Sequence, residues 1–364
     1  VSFCSILYHF VTIYNIPMEN SVYIFRLKLD WQLISLISQI DRFDASWTSI
    51  ERREKQSLKQ LKSIATVRSV GASTRIEGSK LSDEEVNVLL KNIDISKLED
   101  RDSQEVVGYF EALDIISEAY NDIQIAEGDI KNLHNILMKY STKDEWHKGN
   151  YKKHSNAVEA KYPDGTSQII FQTTAPGIDT EAAMNKLIEW YNNESTIHPL
   201  VKCSIFTYEF LSIHPFQDGN GRLSRLISSL LLLKNGYKWI QYVSFEHEIE
   251  SRKLEYYRVL RSCQAQRPNE NISDWVNFFF DALKNIQGLL MQKLQIHHAE
   301  GEQLLPREKL VVSFIQNHPG CKSSDIAKGL GISRMIVIRL LSALIDKNLV
   351  EKHASGSATQ YTIK

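Results

Sequence analysis

Apolar residues return every third or fourth position along most of the chain, the spacing that gathers them on one face of a helix. Residues 30–66 carry it through Leu33, Ile37 and Ile40, then Leu58, Leu61 and Ile64. A new helix start is marked at KLSDEEVNVLLKN, where Ser82 is placed to cap and Asp83, Glu84 and Glu85 put negative charge in the first turn. Further helices are expected near 103–121, 129–141 and 179–194. The period breaks at AKYPDGTSQIIFQTTAP, where Pro163-Asp164-Gly165 signals a turn and Ile169, Ile170, Phe171, Thr173 and Thr174 are strand formers. A hairpin inside a helical domain is either an extended surface loop or an exposed edge that holds a peptide by strand addition. Helical spacing resumes in HPLVKCSIFTYEFLSI, and LSRLISSLLLLKNG is apolar nearly all round, which predicts a buried helix ending at Gly236. From about Pro306, three short helical patterns precede two strand-like runs around a Gly/Ser turn, the order of a winged helix. QIHHAEGEQLLP before them reads as a linker, and His297-His298 within it as solvated rather than metal-binding.

The chain has 364 residues, 43% hydrophobic and 24% charged, with a formal net charge of −1. This is the composition of an ordinary globular protein with room for two or three domains. No global basicity announces nucleic acid, although a small basic module can hide in a neutral average. Cys4, Cys203, Cys263 and Cys321 are scattered, with no C-x-x-C and no zinc spacing, which points to a reducing, cytoplasmic setting. The opening VSFCSILYHFVTIYNIP is apolar but lacks a basic flank and a small-residue cleavage site, which argues against a signal peptide; because the chain opens on Val1 and Met18 follows closely, translation is expected to start near Met18. No run reaches the ~18 apolar residues of a membrane span.

The chemistry concentrates in SIHPFQDGNGRLSRL, between the two apolar helices. Gly219 and Gly221 allow a tight turn, so that successive backbone N–H groups face an anion at a helix N-terminus. Arg222 and Arg225, three apart, share a helix face and can grip phosphates with forked donors. Asp218 is a hard oxygen ligand suited to Mg²⁺, which binds through one or two carboxylates plus substrate phosphates. His214 is the general base of the loop. Together these residues suit transfer of a phosphoryl-type group from a magnesium nucleotide to a hydroxyl. By contrast GASTRIEGSK, Gly71 to Lys80, has the residue types of a phosphate loop but the wrong spacing, and carries Glu77 where phosphates would lie.

His214, Phe216, Asp218, Gly219, Asn220, Gly221, Arg222 and Arg225 match the core motif of the Fic family, H-x-F-x-[D/E]-G-N-[G/K]-R-x-x-R, and the resemblance spans about residues 70 to 285. It implies a mainly α fold: a Fic-type helical domain with a β-hairpin flap, followed here by a winged helix-turn-helix. The corresponding boundaries are 1–95 for an N-terminal helical region, 96–295 for the Fic domain and 305–364 for the winged helix. The implied activity is transfer of AMP from ATP to a Ser, Thr or Tyr hydroxyl of a target protein and of the chain itself. His214 would deprotonate the hydroxyl, Asp218 would hold Mg²⁺, and Gly219, Asn220 and Gly221 would cradle phosphate, with Arg222 and Arg225 at the β/γ end. Phe216 would pack beneath the loop, and the flap, Ile169, Ile170, Phe171 and Gln172, would hold the target as an added strand. LEYYRVLRSCQ resembles the base-pocket region, with Tyr256, Tyr257 and Gln264 as its candidates; Gln264 stands where relatives have Asn.

Ser73-Thr74-Arg75-Ile76-Glu77-Gly78 also fits the inhibitory motif [S/T]-x-x-x-E-[G/N] of the class with an N-terminal inhibitory helix. Glu77 would pair with Arg225 in place of the γ-phosphate, with Ser73 and Gly78 placing it. Three readings stay open: an autoinhibited adenylyltransferase, an enzyme that also removes AMP, and a nucleotide-sensing DNA-binding regulator. The winged helix, with Arg334 and Arg339 beside Met335, Ile336 and Ile338, reads equally as a DNA contact or as a protein-interaction or homodimerisation surface. His134, His147, His154 and His247 have no partner visible in sequence.

Overall fold

The computed structural model describes residues 26–143, 145–161, 167–299, 304–347, 349–353 and 359–364. The apolar N-terminal stretch, the Pro163-Asp164-Gly165 turn and most of the Gly/Ser turn near the C-terminus lie outside them. The chain divides into two compact units, one ending at Gln287 and one running from Gly288 to Lys364. No helix among the described residues is long and apolar enough to cross a membrane.

The first unit opens with α1 (Trp31–Arg53) and α2 (Lys55–Ile76). The single helical stretch expected over 30–66 is therefore two helices, with the break at Glu54, whose φ of −103° and ψ of 18° leave the helical region. Asp30 starts α1 by accepting from the Leu33 N–H at 3.0 Å. Next come α3 (Asp83–Lys91), α4 (Arg101–Ala119) and α5 (Glu127–Leu137). The cap expected at Ser82 is a full capping box, with Glu85 reaching back to the Ser82 N–H. The hairpin is β1 (Ala157–Lys161) against β2 (Ser167–Gln172), antiparallel, with Ala157 opposite Gln172 and a register shift at Val158/Glu159. Then follow α6 (Ile178–Asn193), α7 (Pro199–Ile213), α8 (Asn220–Lys234), α9 (Phe245–Ser251), α10 (Lys253–Gln264) and α11 (Ser273–Ala299). The helix α11 carries on through residues 295–299, read above as linker.

The core of this unit forms around α7 and α8, which pack on one another and are buried on nearly every side. That matches their all-round apolar sequence. The α2 helix packs against α4 and α9, with Val70, Ala72, Ser73 and Thr74 wholly removed from solvent. Residues 26–95 thus fall in the same compact unit as the helices that follow.

In the second unit, α12 (Pro306–Asn317), α13 (Ser323–Leu330) and α14 (Arg334–Asp346) precede the antiparallel pair β3 (Val350–His353) and β4 (Gln360–Ile363). Val311, Ile315, Ile326, Val337, Leu341 and Leu344 form its core, closed by Val350 and Tyr361 from the strands.

Candidate active site

The site lies where α7 ends and α8 begins. His214 follows α7 in the left-handed region (φ 53°, ψ 60°), alone in this among the described non-glycine residues. Strain of this kind persists only where surrounding contacts hold it. The His214 N–H donates to Phe210 O at 2.9 Å, and its Nδ1 lies 3.3 Å from Leu211 O. A carbonyl can only accept, so Nδ1 carries the proton and Nε2 keeps its lone pair. Burial pushes the imidazole pKa down to about 4; the hydrogen bond to Leu211 O opposes it, the Lys152 ammonium adds to it, and Glu77 and Asp218 oppose it more weakly. At neutral pH the side chain is an unprotonated base.

The loop to α8 is built by its own side chains. Asn220 accepts from the Phe216 N–H at 2.9 Å and donates to Phe216 O at 2.7 Å, closing a tight ring. Its amide is therefore spent on shaping the loop, and what it can offer a phosphate is its backbone N–H. Gly219 caps α8 at φ 80°, a conformation that disfavours any Cβ. Phe216 is fully buried, as expected, and stacks on the His134 ring at 3.9 Å.

His134, which has no partner visible in sequence, proves to be the floor of the loop. Its Nδ1 accepts from the Gly149 N–H at 3.0 Å, which fixes the proton on Nε2, and Nε2 lies 3.0 Å from Asp218 O. This bond spans 84 residues of chain, so no local pattern announces it. Among the other histidines, His247 lies 3.4 Å from Glu250, and the His154 N–H donates to Gln217 at 3.4 Å.

Asp218 stands at the mouth of the site, half-exposed. Its Oδ1 accepts from the Gly219 N–H at 2.6 Å, and Oδ2 lies 3.3 Å from Arg101 and 3.4 Å from Arg222. Among the described residues no cluster of three His, Cys, Asp or Glu could hold a metal ion. One accessible carboxylate fits an ion that arrives with a triphosphate and takes its remaining ligands from phosphate and water. It does not fit an all-protein cage.

Arg222 and Arg225 enter from the first turns of α8 and are almost wholly buried. Arg222 Nη1 lies 3.2 Å from Glu105, and the Arg222 Nε and Arg225 Nη1 atoms are buried without a hydrogen-bond partner. Unsatisfied guanidinium donors beside a helix N-terminus are the donor set an anion would satisfy.

A carboxylate already reaches this anion site. Glu77 Oε1 accepts from Arg225 Nη2 at 2.8 Å, and Arg225 Nε donates to Ser73 Oγ at 2.8 Å. Burial acts to lower the Arg225 pKa, but the Glu77 carboxylate together with Tyr256, Tyr109 and Tyr257 more than offsets it, and the net direction is up. Glu77 lies directly over Gly221: a Cβ there would come within 2.3 Å of Glu77 Oε1. Glu77 is the C-cap of α2, and Gly78 (φ 112°) ends the helix in a Schellman motif, with the Gly78 N–H on Arg75 O and the Ser79 N–H on Thr74 O, both at 3.1 Å. Arg75 grips Glu250 on α9 at 2.6 and 3.0 Å, which fixes the end of α2 on the opposite side.

The three base-pocket candidates are placed differently. Tyr256 is buried against Trp275 and Phe278, and the Gln264 amide is buried and donates to Ser212 Oγ at 3.1 Å. Tyr257 is half-buried, with the Arg261 guanidinium 5.4 Å from its ring centre. In the flap, β2 carries Phe171 half-buried and Gln172 exposed, and Ile169 and Ile170 lie on its backbone.

Residues 124–232 match the family model described as Fic/DOC family. The chain is 28% identical over 187 residues to "Protein adenylyltransferase Fic" of Drosophila erecta, covering 50% of this chain and 35% of that protein. It is 26% identical over 207 residues to the protein of the same name from Drosophila willistoni, covering 55% and 38%. The chain thus spans little more than a third of the length of these curated relatives. Among solved structures, a Fic family protein from Desulfovibrio desulfuricans superposes with a TM-score of 0.62 at 23% identity, covering 94% of this chain and 98% of that one. A Fic domain containing signaling protein from Bacteroides thetaiotaomicron gives 0.53 at 22% identity, covering 81% and 98%. These likenesses establish the fold.

Proposed function

We propose, on the premise that this chain carries a Fic/DOC domain, that it is a protein adenylyltransferase held inactive by Glu77. The observation that carries the reading is the Glu77 carboxylate seated on Arg225 and over Gly221, at the anion-binding end of α8.

In the reaction, Nε2 of His214 takes the proton of a Ser, Thr or Tyr hydroxyl on the target protein. The oxygen attacks the α-phosphorus of ATP, a new P–O bond forms, and the bond to pyrophosphate breaks. The α8 N-terminus and the buried arginines bind the phosphates and hold the leaving group in line. Asp218 would hold Mg²⁺, which neutralises phosphate charge. Glu77 opposes the reaction by meeting Arg225 first, so the nucleotide cannot seat its terminal phosphate. A partly buried carboxylate–guanidinium pair, worth about 1.5–3 kcal/mol, predicts a restraint of roughly 10- to 100-fold.

Label transferred from α-³²P-ATP to protein tests the reading, with the chain itself and a cell lysate as acceptors. Incorporation is expected to rise by one to two decades in Glu77→Gly and to vanish in Glu77→Gly/His214→Ala. Equal labelling in all three proteins would sink the mechanism.

The second unit has the element order of a winged helix, and we read it as the part that selects a partner. Arg334 and Arg339 are exposed on α14, with Lys322 and Lys352 nearby in sequence order, which favours DNA. Met335, 81% exposed, and Ile338 favour a protein or a second copy of this chain. DNA binding that weakens steeply with salt and is lost in Arg334→Ala supports the first; a concentration-dependent dimer lost in Met335→Glu supports the second.

A further inference from the structure

Lys152 is 1% exposed, and the hydrogen-bond partners of its ammonium are all neutral oxygens. Burying such a group is costly unless every donor is satisfied. Here the three N–H donors meet three acceptors: Ile213 O at 3.0 Å, Asn156 Oδ1 at 2.9 Å and Thr173 Oγ at 2.9 Å. The first belongs to the residue before His214. The other two belong to the residues flanking the hairpin, Asn156 immediately before β1 and Thr173 immediately after β2.

The surrounding bonds join the same two parts. Asn156 Nδ2 donates to Phe216 O at 2.8 Å, and the Thr173 hydroxyl lies 2.5 Å from Asn156 O. The Lys152 N–H donates to Pro215 O at 2.8 Å, and Tyr151 forms a β-bridge with Phe216. Both feet of the hairpin and the Ile213 carbonyl therefore converge on one ammonium, and the Lys152 N–H and the Asn156 amide tie in Pro215 O and Phe216 O beside it. Burial pushes its pKa down to about 8, so it remains mostly protonated at neutral pH. A lysine kept here merely to fill space would be replaced by methionine without loss.

We propose that Lys152 is a positioning residue that fixes the base of the β1–β2 hairpin to the catalytic loop, and so sets the distance between a protein segment lying along β2 and His214. The proposal rests on the adenylyltransferase reading for its functional half and on geometry alone for its structural half.

The test uses the full chain and two variants, Lys152→Met, which keeps length and removes all three donors, and Thr173→Val, which keeps shape and removes one acceptor. Hydrogen exchange read by mass spectrometry should show amides of 157–161 and 167–172 exchanging at least ~10-fold faster in Lys152→Met and ~3- to 5-fold faster in Thr173→Val, with α7 and α8 unchanged. In the Glu77→Gly background, ATP affinity should stay within about 2-fold while label incorporation into protein falls at least ~10-fold. Unchanged hairpin exchange overturns the tether, as does loosening that spreads equally through α7 and α8, because either result leaves Lys152 an ordinary core residue. If Glu77→Gly itself incorporates no label, the reaction assigned to the site is wrong, and the exchange data still decide the tether.

Discussion

At the scale of single residues, the site depends on the absence of one methyl group. Gly221 is helical and needs no unusual backbone angles, yet a Cβ on it would stand 2.3 Å from the Glu77 carboxylate. Any anion drawn to the α8 N-terminus and Arg225 meets the same obstruction. Gly221→Ala is therefore expected to weaken ATP binding at least ~10-fold even in the Glu77→Gly background, read by titration calorimetry, although alanine raises helix propensity by ~1 kcal/mol. Unaltered affinity would show that the phosphates lie elsewhere. Asn220 works through the backbone of Phe216, which it holds at both N and O. Asn220→Ala leaves the Phe216 N–H unpaired and strips Phe216 O of one of its two donors, Asn156 Nδ2 remaining, and should lower stability by about 1–3 kcal/mol in urea titration. That residues 214–225 gather at one loop and helix start was legible in sequence, because glycine, asparagine and arginine crowd there within one turn and the next. His134 and Lys152 were not legible. A histidine bonded across 84 residues has no local signature, and a lone lysine in sequence ordinarily means an exposed one.

At the scale of elements, α2 is part of the core and, on the proposed reading, also the blocker. Its fifth and sixth turns, with Val70, Ala72, Ser73 and Thr74, are sealed between α4, α9 and α8, while Glu77 at its end remains 30% exposed on its side chain. Inhibition should thus be separable from stability at Glu77 and at no earlier turn. Glu77→Gly should keep the near-ultraviolet dichroism and melt within a few degrees of the parent, whereas Ala72→Asp should abolish cooperative unfolding. The α1 helix carries a different signature, because burial and the neighbouring Asp41 push the Asp44 carboxyl from 3.8 up to about 6. The folded state then holds this proton more tightly than the unfolded state. The stability it confers is complete below pH 3.8 and is lost as pH rises through 6. Asp44→Asn is expected to raise the urea midpoint at pH 7.5, by up to ~2–3 kcal/mol in stability, and to leave it unchanged at pH 4. A gain of the same size at both pH values would locate the effect in packing. Helix periodicity located most of these elements and missed the break at Glu54, because the apolar spacing continues on both sides of it. The linker reading failed at residues 295–299 for the converse reason: polar composition does not stop a helix already propagating from α11.

At the scale of the whole chain, each unit owns a core. Ile326, buried in the second, should cost about 2–4 kcal/mol as Ile326→Ala, visible as a shift in one of two calorimetric transitions, with ATP binding by Glu77→Gly unaffected. A single transition that shifts as one would mean the units unfold together. The order of elements along the chain has a last consequence. Glu77 leaves the ribosome well before Gly221 and Arg225, and the final turns of α2 acquire their shape from a local Schellman motif. The loop that brings Gly221 and Arg225 to Glu77 therefore closes on a carboxylate already made and waiting. If Glu77 blocks the site as proposed, such a chain would have no interval in its biosynthesis when the site is whole and the blocker is still missing. A newly made molecule would then begin life silent, and activity would be something later done to it.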